Sequence, residues 1–197
     1  MRAAIFGMKS AAAPGPNGFG VQFFKTFWNT IKGDYLALFQ DFHEGTLDVK
    51  RRNYGVITLI PKINEANTIK QYRPICLLNV DYKGITKVLA SRFSPIASKV
   101  IGGNQTSFVK GRNIPEGGVV LHEVIHELKK TKKKGLILKI DFEKAYDKVR
   151  WKFLQQTLRM KGFSEQWCNW IKHFTQGGNV GIKVNDLLPD TEGFTAR

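Results

Sequence analysis

The scarcity and uneven spacing of strand-like runs limits what this chain can fold into. Three short runs look like strands: NYGVITLIPK (53–62), RPICLLN (73–79) and the apolar segment of 136–141. GGNVGIKVN (177–185) reads as a strand start or hairpin arm. Around them lie longer stretches in which apolar residues return every three or four positions, the period of an amphipathic helix. Val21 to Phe42, rich in Phe and Trp, is expected to form one or two such helices. Another is expected over most of 82–100, with Asp81 as its cap and Ile85, Val88 and Leu89 on one side. Further helices are expected at 1–9, from about Pro115 to Lys130 with Pro near the first turn, through about Lys161, and from Glu165 to Phe174. AAAPGPNGF (11–19), INEANTIKQY (63–72) and IGGNQTSFVKGRNI (101–114) read as loops. Strands this few and unevenly placed argue against a doubly wound fold. They favour α+β, a small sheet with helices packed on one side.

With 197 residues the chain can build one good-sized domain or two small ones without staples. Its charge is unusual: 31 Lys and Arg against 16 acids, a net +15. Such an excess favours a polyanionic partner, nucleic acid first and an anionic membrane surface second. The plainer alternative is a surface of solvated lysines. Cys76 and Cys168 have no partner motif, so no disulfide framework or zinc ribbon is indicated, and they are expected to be reduced, mostly buried thiols. No signal-peptide core and no membrane-length apolar run is present, so a nuclear or cytoplasmic location without membrane insertion is expected.

HEVIH (122–126) matches the H-E-x-x-H pattern of zinc peptidases. On a helix whose apolar stripe is Leu121, Val124, Ile125 and Leu128, the two histidines lie roughly 110–150° from the stripe's centre at 100° per residue. They point toward solvent or a partner, and the following KKTKKK disfavours a dication. Zinc is therefore set aside.

LILKIDFEKAYDKVRW (136–151) ends an apolar run on a carboxylate, Asp141, a common place for a metal ligand because a strand holds the acid still. One carboxylate holds Mg²⁺ weakly, and two-metal phosphoryl transfer needs at least one more. Asp147 is one candidate. The other reading pairs it with Lys144, Lys148 or Arg150 on a solvated helix start, which the density of neighbouring cations favours.

At these residues a family resemblance emerges. LKIDFEKAYDKVRW resembles the first palm motif of reverse transcriptases of plant non-LTR (LINE-type) retrotransposons. APGPNGF (13–19) resembles that family's APGPDGF motif. LIPK (59–62) and QYRPICLLNVDYKGITKVLASR (71–92) resemble its fingers motifs, and NQTSFVKGRNI (104–114) resembles QTGFVKGRNI. The motifs occur in the family order.

The resemblance implies a right-hand α+β fold with helical fingers (1–135) and an incomplete palm sheet (136–197). It implies RNA-directed DNA synthesis, with an RNA template, a DNA primer, dNTP and two Mg²⁺ ions. Asp141 would be the first catalytic aspartate and, with the Phe142 carbonyl, a metal ligand. Lys144 and Ala145 would offer backbone amides to the triphosphate, and Tyr146 would be the steric gate under the sugar. Lys62 and Arg73 would grip the triphosphate. Gln105, Lys110, Gly111, Arg112 and Asn113 would lie near template or primer.

Three positions depart from the family pattern: Asn17 for Asp, Ser107 for Gly, and Gly84 where a bulky aliphatic is usual. The last is expected to cost about 1 kcal/mol of helix propensity plus lost packing. The GLRQGDPLSP-like and FADD-like motifs are not in the sequence, so the chain is expected to be a fragment inactive by itself. The rival expectation is a non-catalytic basic remnant that binds nucleic acid through phosphate contacts.

Overall fold

The computed structural model describes residues 1–140 and 148–182. The element order is α1 (Arg2–Phe6), α2 (Val21–Thr26), α3 (Trp28–Glu44), α4 (Val49–Arg52), β1 (Tyr54–Pro61), a 3₁₀ turn (Ile69–Gln71), β2 (Tyr72–Leu78), α5 (Val80–Val100), α6 (Ile114–Lys130), α7 (Trp151–Met160), α8 (Glu165–Thr175) and β3 (Asn179–Ile182). Mixed helices with one small sheet make this α+β. The chain divides into two compact units: Met1–Leu89 with the chain from Phe163 onward, and Ala90–Gly162. The fingers–palm boundary near residue 135 is a different kind of division and rests on the family pattern.

The first unit holds the main core. Ile5, Val21, Phe24, Tyr35, Leu38 and Phe42 meet Val80, Ile85 and Leu89 of α5 and Trp170 of α8. Phe24 packs edge-on against Tyr35 with ring centroids 5.7 Å apart, and Phe42 lies 5.3 Å from Trp170. Of the one or two aromatic helices expected over 21–42, two are found, because Phe27 leaves the helical region at φ −95°, ψ 17°. The Tyr82 hydroxyl donates to the Phe174 carbonyl at 3.1 Å, tying α5 to α8.

Asp81 is not the cap of α5 but lies in its first turn, where a negative charge favours the helix N-terminus. Its Oδ2 accepts from Arg52 Nη1 at 2.8 Å. Gly84, one turn further on, is buried. A Cβ there would lie 2.5 Å from the Tyr35 hydroxyl and 2.9 Å from Ile5 Cδ1. The packing loss expected at Gly84 is thus not found: Tyr35 fills the space and donates to the Asp81 carbonyl at 3.2 Å.

The sheet has strand order β2-β1-β3. β1 and β2 are antiparallel, pairing Gly55 with Leu78 through Pro61 with Tyr72. β3 runs parallel to β1, pairing Tyr54 with Asn179 through Ile57 with Ile182. The strand start expected in 177–185 is thus found, and its described part, Asn179–Ile182, is parallel to β1. Among the described residues β3 pairs β1 as far as Ile57, and the outer half of β1 is more exposed.

The strand expected at 136–141 is not found. Residues 136–140 have no strand assignment and pair with none of the sheet's strands, and Leu136 is 92% exposed and Leu138 74%. Apolar, β-branched composition makes a strand only where a ladder partner satisfies its backbone, and among the described residues no strand pairs with 136–140. Asp141 itself lies outside the described residues.

The second unit contains the C-terminal part of α5, the 101–113 loop, α6 and α7. Its buried residues include Ala97, Val109, Gln155 and Leu158. The apolar stripe of α6 is amphipathic as read, but it buries no residue fully. Of the cysteines, Cys168 is buried as expected, whereas Cys76 on β2 is exposed; both are free. Among the described residues no helix is long and apolar enough to cross a membrane.

Candidate nucleotide and nucleic-acid interface

The β1–β2 hairpin brings two of the sequence-selected cations together. Side chains alternate between faces along a strand, and cross-strand partners share a face. Ile60 is paired with Arg73. The Lys62 N–H donates to the Gln71 carbonyl at 2.8 Å, so pairing continues one residue past β1. Alternation therefore sets Lys62, Ile60 and Arg73 on one face at the exposed end of the hairpin. Arg73 is exposed and has no ion pair among the described residues. The Lys62 ammonium donates to the Lys70 carbonyl at 2.8 Å, using one of its three donors.

The tip that carries these residues is fastened to itself. Thr68 and Gln71 form a reciprocal capping box, and Gln71 Oε1 accepts from the Asn67 and Thr68 N–H groups at 2.8 and 2.9 Å. The Tyr72 hydroxyl donates to the Ala66 carbonyl at 2.8 Å. A tip bonded in this way holds its cations with less ordering to be done on binding an anion.

The APGPNGF loop docks where β2 passes into α5. Gly15 is buried there, and a Cβ on it would come within 2.5 Å of both Asn79 and Leu78. The Asn17 N–H donates to Asn79 Oδ1 at 3.1 Å, while Asn17 Oδ1 accepts from the Phe19 N–H at 3.1 Å. An aspartate oxygen would accept the same bond, so Asn17 replaces the family's Asp without losing the turn. Nearby, partial desolvation pushes the thiol of the exposed Cys76 up, and partial burial holds the Lys83 ammonium below its usual range.

The 101–113 loop places its residues in unequal roles. Arg112 turns inward and donates to four carbonyls: Nη1 to Gly102 at 2.6 Å and Gln105 at 2.8 Å, Nη2 to Ile101 at 3.0 Å and Ser98 at 3.1 Å. Ser98 lies in the last turn of α5, so the guanidinium closes carbonyls that a helix end leaves unpaired. Gln105 Nε2 donates to the Ser107 carbonyl at 3.0 Å. Asn113 precedes α6 and donates from Nδ2 to Glu116 Oε1 at 3.0 Å. Gly111 sits at φ +84°, where a side chain would be strained. Lys110 stays exposed. Phe108, which the sequence reading passed over, is fully exposed at φ +64°. Its signal was available: an aromatic inside a glycine-rich basic loop.

The remaining selected residues, Asp141, Phe142, Lys144, Ala145 and Tyr146, lie outside the described residues, as does Asp147. Among the described residues no group of three or more His, Cys, Asp or Glu comes together to hold a metal ion. His122 and His126 of HEVIH are exposed on α6. The donors the family pattern assigns to a metal, a carboxylate and a backbone carbonyl, are hard oxygen ligands of the kind Mg²⁺ takes.

Two comparisons bear on this arrangement. The chain is similar to the transposon TX1 uncharacterized 149 kDa protein of Xenopus laevis, 30% identical over 174 residues that make up 88% of this chain and 13% of that protein. It thus spans a small part of that relative's length. The family model for reverse transcriptase (RNA-dependent DNA polymerase) matches residues 60–191, a span that takes in the hairpin tip with Lys62 and Arg73, the 101–113 loop and Asp141. With that match covering more than half of the sequence, the chain belongs to the reverse transcriptase family.

Proposed function

We propose that these residues serve RNA-directed DNA synthesis by a LINE-like element of the plant non-LTR type, and that residues 1–135 are its fingers and 136–197 part of its palm. The observation that carries this reading is the shared face of Lys62 and Arg73 on a self-fastened hairpin tip. A triphosphate needs cations held in place, and Arg offers a planar fork where Lys offers a point charge. The similarity to a transposon protein and the family match support the same reading.

In the reaction a primer 3′-hydroxyl attacks the α-phosphate of a dNTP, and pyrophosphate leaves. Lys62 and Arg73 bind and orient the β- and γ-phosphates. Lys144 and Ala145 offer backbone amides to the same group, and Tyr146 excludes a ribose 2′-hydroxyl. Lys110, with Gln105, Gly111 and Asn113, lies along the template or primer strand. Asp141 and the Phe142 carbonyl would hold divalent cations, which when bound supply neutralisation of the phosphate charge.

The test is calorimetric titration of dNTP with Mg²⁺ into the chain and into a Lys62→Ala/Arg73→Ala double variant, alongside anisotropy titration of an RNA–DNA duplex. The reading expects dNTP binding that the double variant loses, and duplex affinity that falls steeply from about 50 to 200 mM salt. Equal dNTP binding by both proteins would remove the role given to the hairpin cations. Duplex binding with no dNTP binding at all would favour the non-catalytic binding remnant.

A further inference from the structure

Phe108 is placed as few phenylalanines are. Its ring is fully exposed, and its backbone sits at φ +64°, a region that bulky residues rarely occupy. Such strain persists only where the surroundings hold it. Here they do. Val109, the next residue, is buried at 6% exposure. The Arg112 N–H donates to the Val109 carbonyl at 3.2 Å, closing a turn, and the Arg112 guanidinium ties the loop to the end of α5 through four carbonyls. On the other side of Phe108, the Thr106 side chain would be 3.2 Å from a Cβ on Gly117, so the loop also packs closely on α6. The loop is fixed on both sides of a fully exposed ring.

We propose that Phe108 is a stacking platform for an unpaired nucleobase of a single-stranded nucleic acid. Three features select this ligand. A loop with no acid, whose outward charged residue is the cation Lys110, suits a polyanion. Lys110 is exposed two residues from the ring and is free to meet a phosphate beside the stacked base. Phe108 is also the loop's one exposed large apolar side chain, which matches a single planar base better than a protein surface, whose apolar patches run to hundreds of Å². The rigid setting lowers the ordering cost of binding. The proposal rests on the nucleic-acid reading above and adds a residue and a ligand group to it.

The experiment uses the full chain and its Phe108→Ala, Phe108→Trp and Lys110→Ala variants, each checked for native far-UV circular dichroism. Labelled short single strands, one with bases and one an abasic backbone of equal length, are titrated by fluorescence anisotropy. Phe108→Ala should weaken binding to the based strand by about 5- to 160-fold, the range for one stacked base, and leave the abasic strand unaffected. Phe108→Trp should restore the affinity. Lys110→Ala should weaken both strands alike and reduce the salt slope by about one. Equal binding of the based strand by wild type and Phe108→Ala would overturn the stacking role and assign the ring to a protein contact. Equal losses on both strands would overturn it too. If wild type binds neither strand, the nucleic-acid reading fails and takes this proposal with it, an outcome distinct from the other two.

Discussion

Gly84→Ala tests the close approach of α5 to Tyr35 because two opposing terms can be separated. In an exposed helix the change should stabilise by about 1 kcal/mol, since alanine has the better helix propensity. At Gly84 the added Cβ falls 2.5 Å from the Tyr35 hydroxyl, about 0.9 Å inside ordinary van der Waals contact. Tyr35 cannot step aside cheaply. It is 5% exposed, it packs between Phe24 and Trp28, and its hydroxyl donates to the Asp81 carbonyl at 3.2 Å. Overpacking of this kind costs about 1–3 kcal/mol, so the net change should be a loss of up to about 2 kcal/mol. Tyr35→Phe removes the obstacle. The nearest ring carbon is then 3.5 Å from the new Cβ, and Ile5 Cδ1 is the end of a flexible side chain. Tyr35→Phe by itself should cost about 0.5–1.5 kcal/mol for the lost hydrogen bond. In that background Gly84→Ala should turn stabilising, giving a coupling of about 1–3 kcal/mol in the double-mutant cycle. Urea unfolding followed by tryptophan fluorescence reads it, because Trp28 and Trp170 both belong to this core. A gain of the same size in both backgrounds would refute the close approach and return Gly84 to being a plain weakness in the helix.

The other expectations follow from single groups. Burial raises the Tyr35 phenol well above its ordinary value, with Asp81 adding to the shift and Arg52 opposing it. Its contribution to stability is therefore complete below about pH 10 and lost as pH rises beyond it, because the unfolded tyrosine ionises first; Tyr35→Phe should flatten that part of an alkaline stability profile. Arg112→Ala should cost about 2–3 kcal/mol in urea unfolding, since the exposed carbonyls can rehydrate and soften the loss. Arg112→Lys should recover less than half of it, because one ammonium cannot span four carbonyls, and full recovery would contradict the clamp. Gln155 is buried and, among the described residues, has no hydrogen-bond partner for Oε1 or Nε2, so Gln155→Met should raise stability by about 1 kcal/mol; a fall would show that the amide is satisfied.

How much of this was legible depends on what each residue's neighbours had to supply. The helices of 82–100, 115–130 and 165–174 were readable because their apolar period is local, and they appear within a few residues of the expected bounds. The break at Phe27 was not, since an aromatic run keeps its period whether or not one residue leaves the helix. β1 and β2 were readable because they are consecutive and form a hairpin with each other. LILKI was misread because its composition is that of a strand, while strand formation needs a partner from elsewhere in the chain. β3 was readable as a strand start but not in its pairing: its partner is β1, more than a hundred residues earlier, and no local signal says that the pairing is parallel. Among site residues, the family pattern gave Lys62 and Arg73 a common role, but their shared face needed the hairpin register, and the inward turn of Arg112 was not legible, because charge alone does not say which way a guanidinium points.

That last point bears on what a net charge of +15 means. Cations held by the fold do not attract a polyanion as strongly as cations left in water. Arg112 is bound to four carbonyls, Arg52 to Asp81, and Lys25 to the Met8 carbonyl and Ser10 Oγ at 2.8 and 2.9 Å. These three stabilise turns and helix ends. Arg73 and Lys110 are exposed and have no such partner among the described residues, and Lys62 keeps two of its three donors. The distinction also falls within a single loop, where Arg112 fixes the backbone and Lys110 and Phe108 face outward. A substitution at Arg112 should therefore act on nucleic-acid binding through stability, and one at Lys110 through the salt slope, so residues two apart in one basic motif separate by assay.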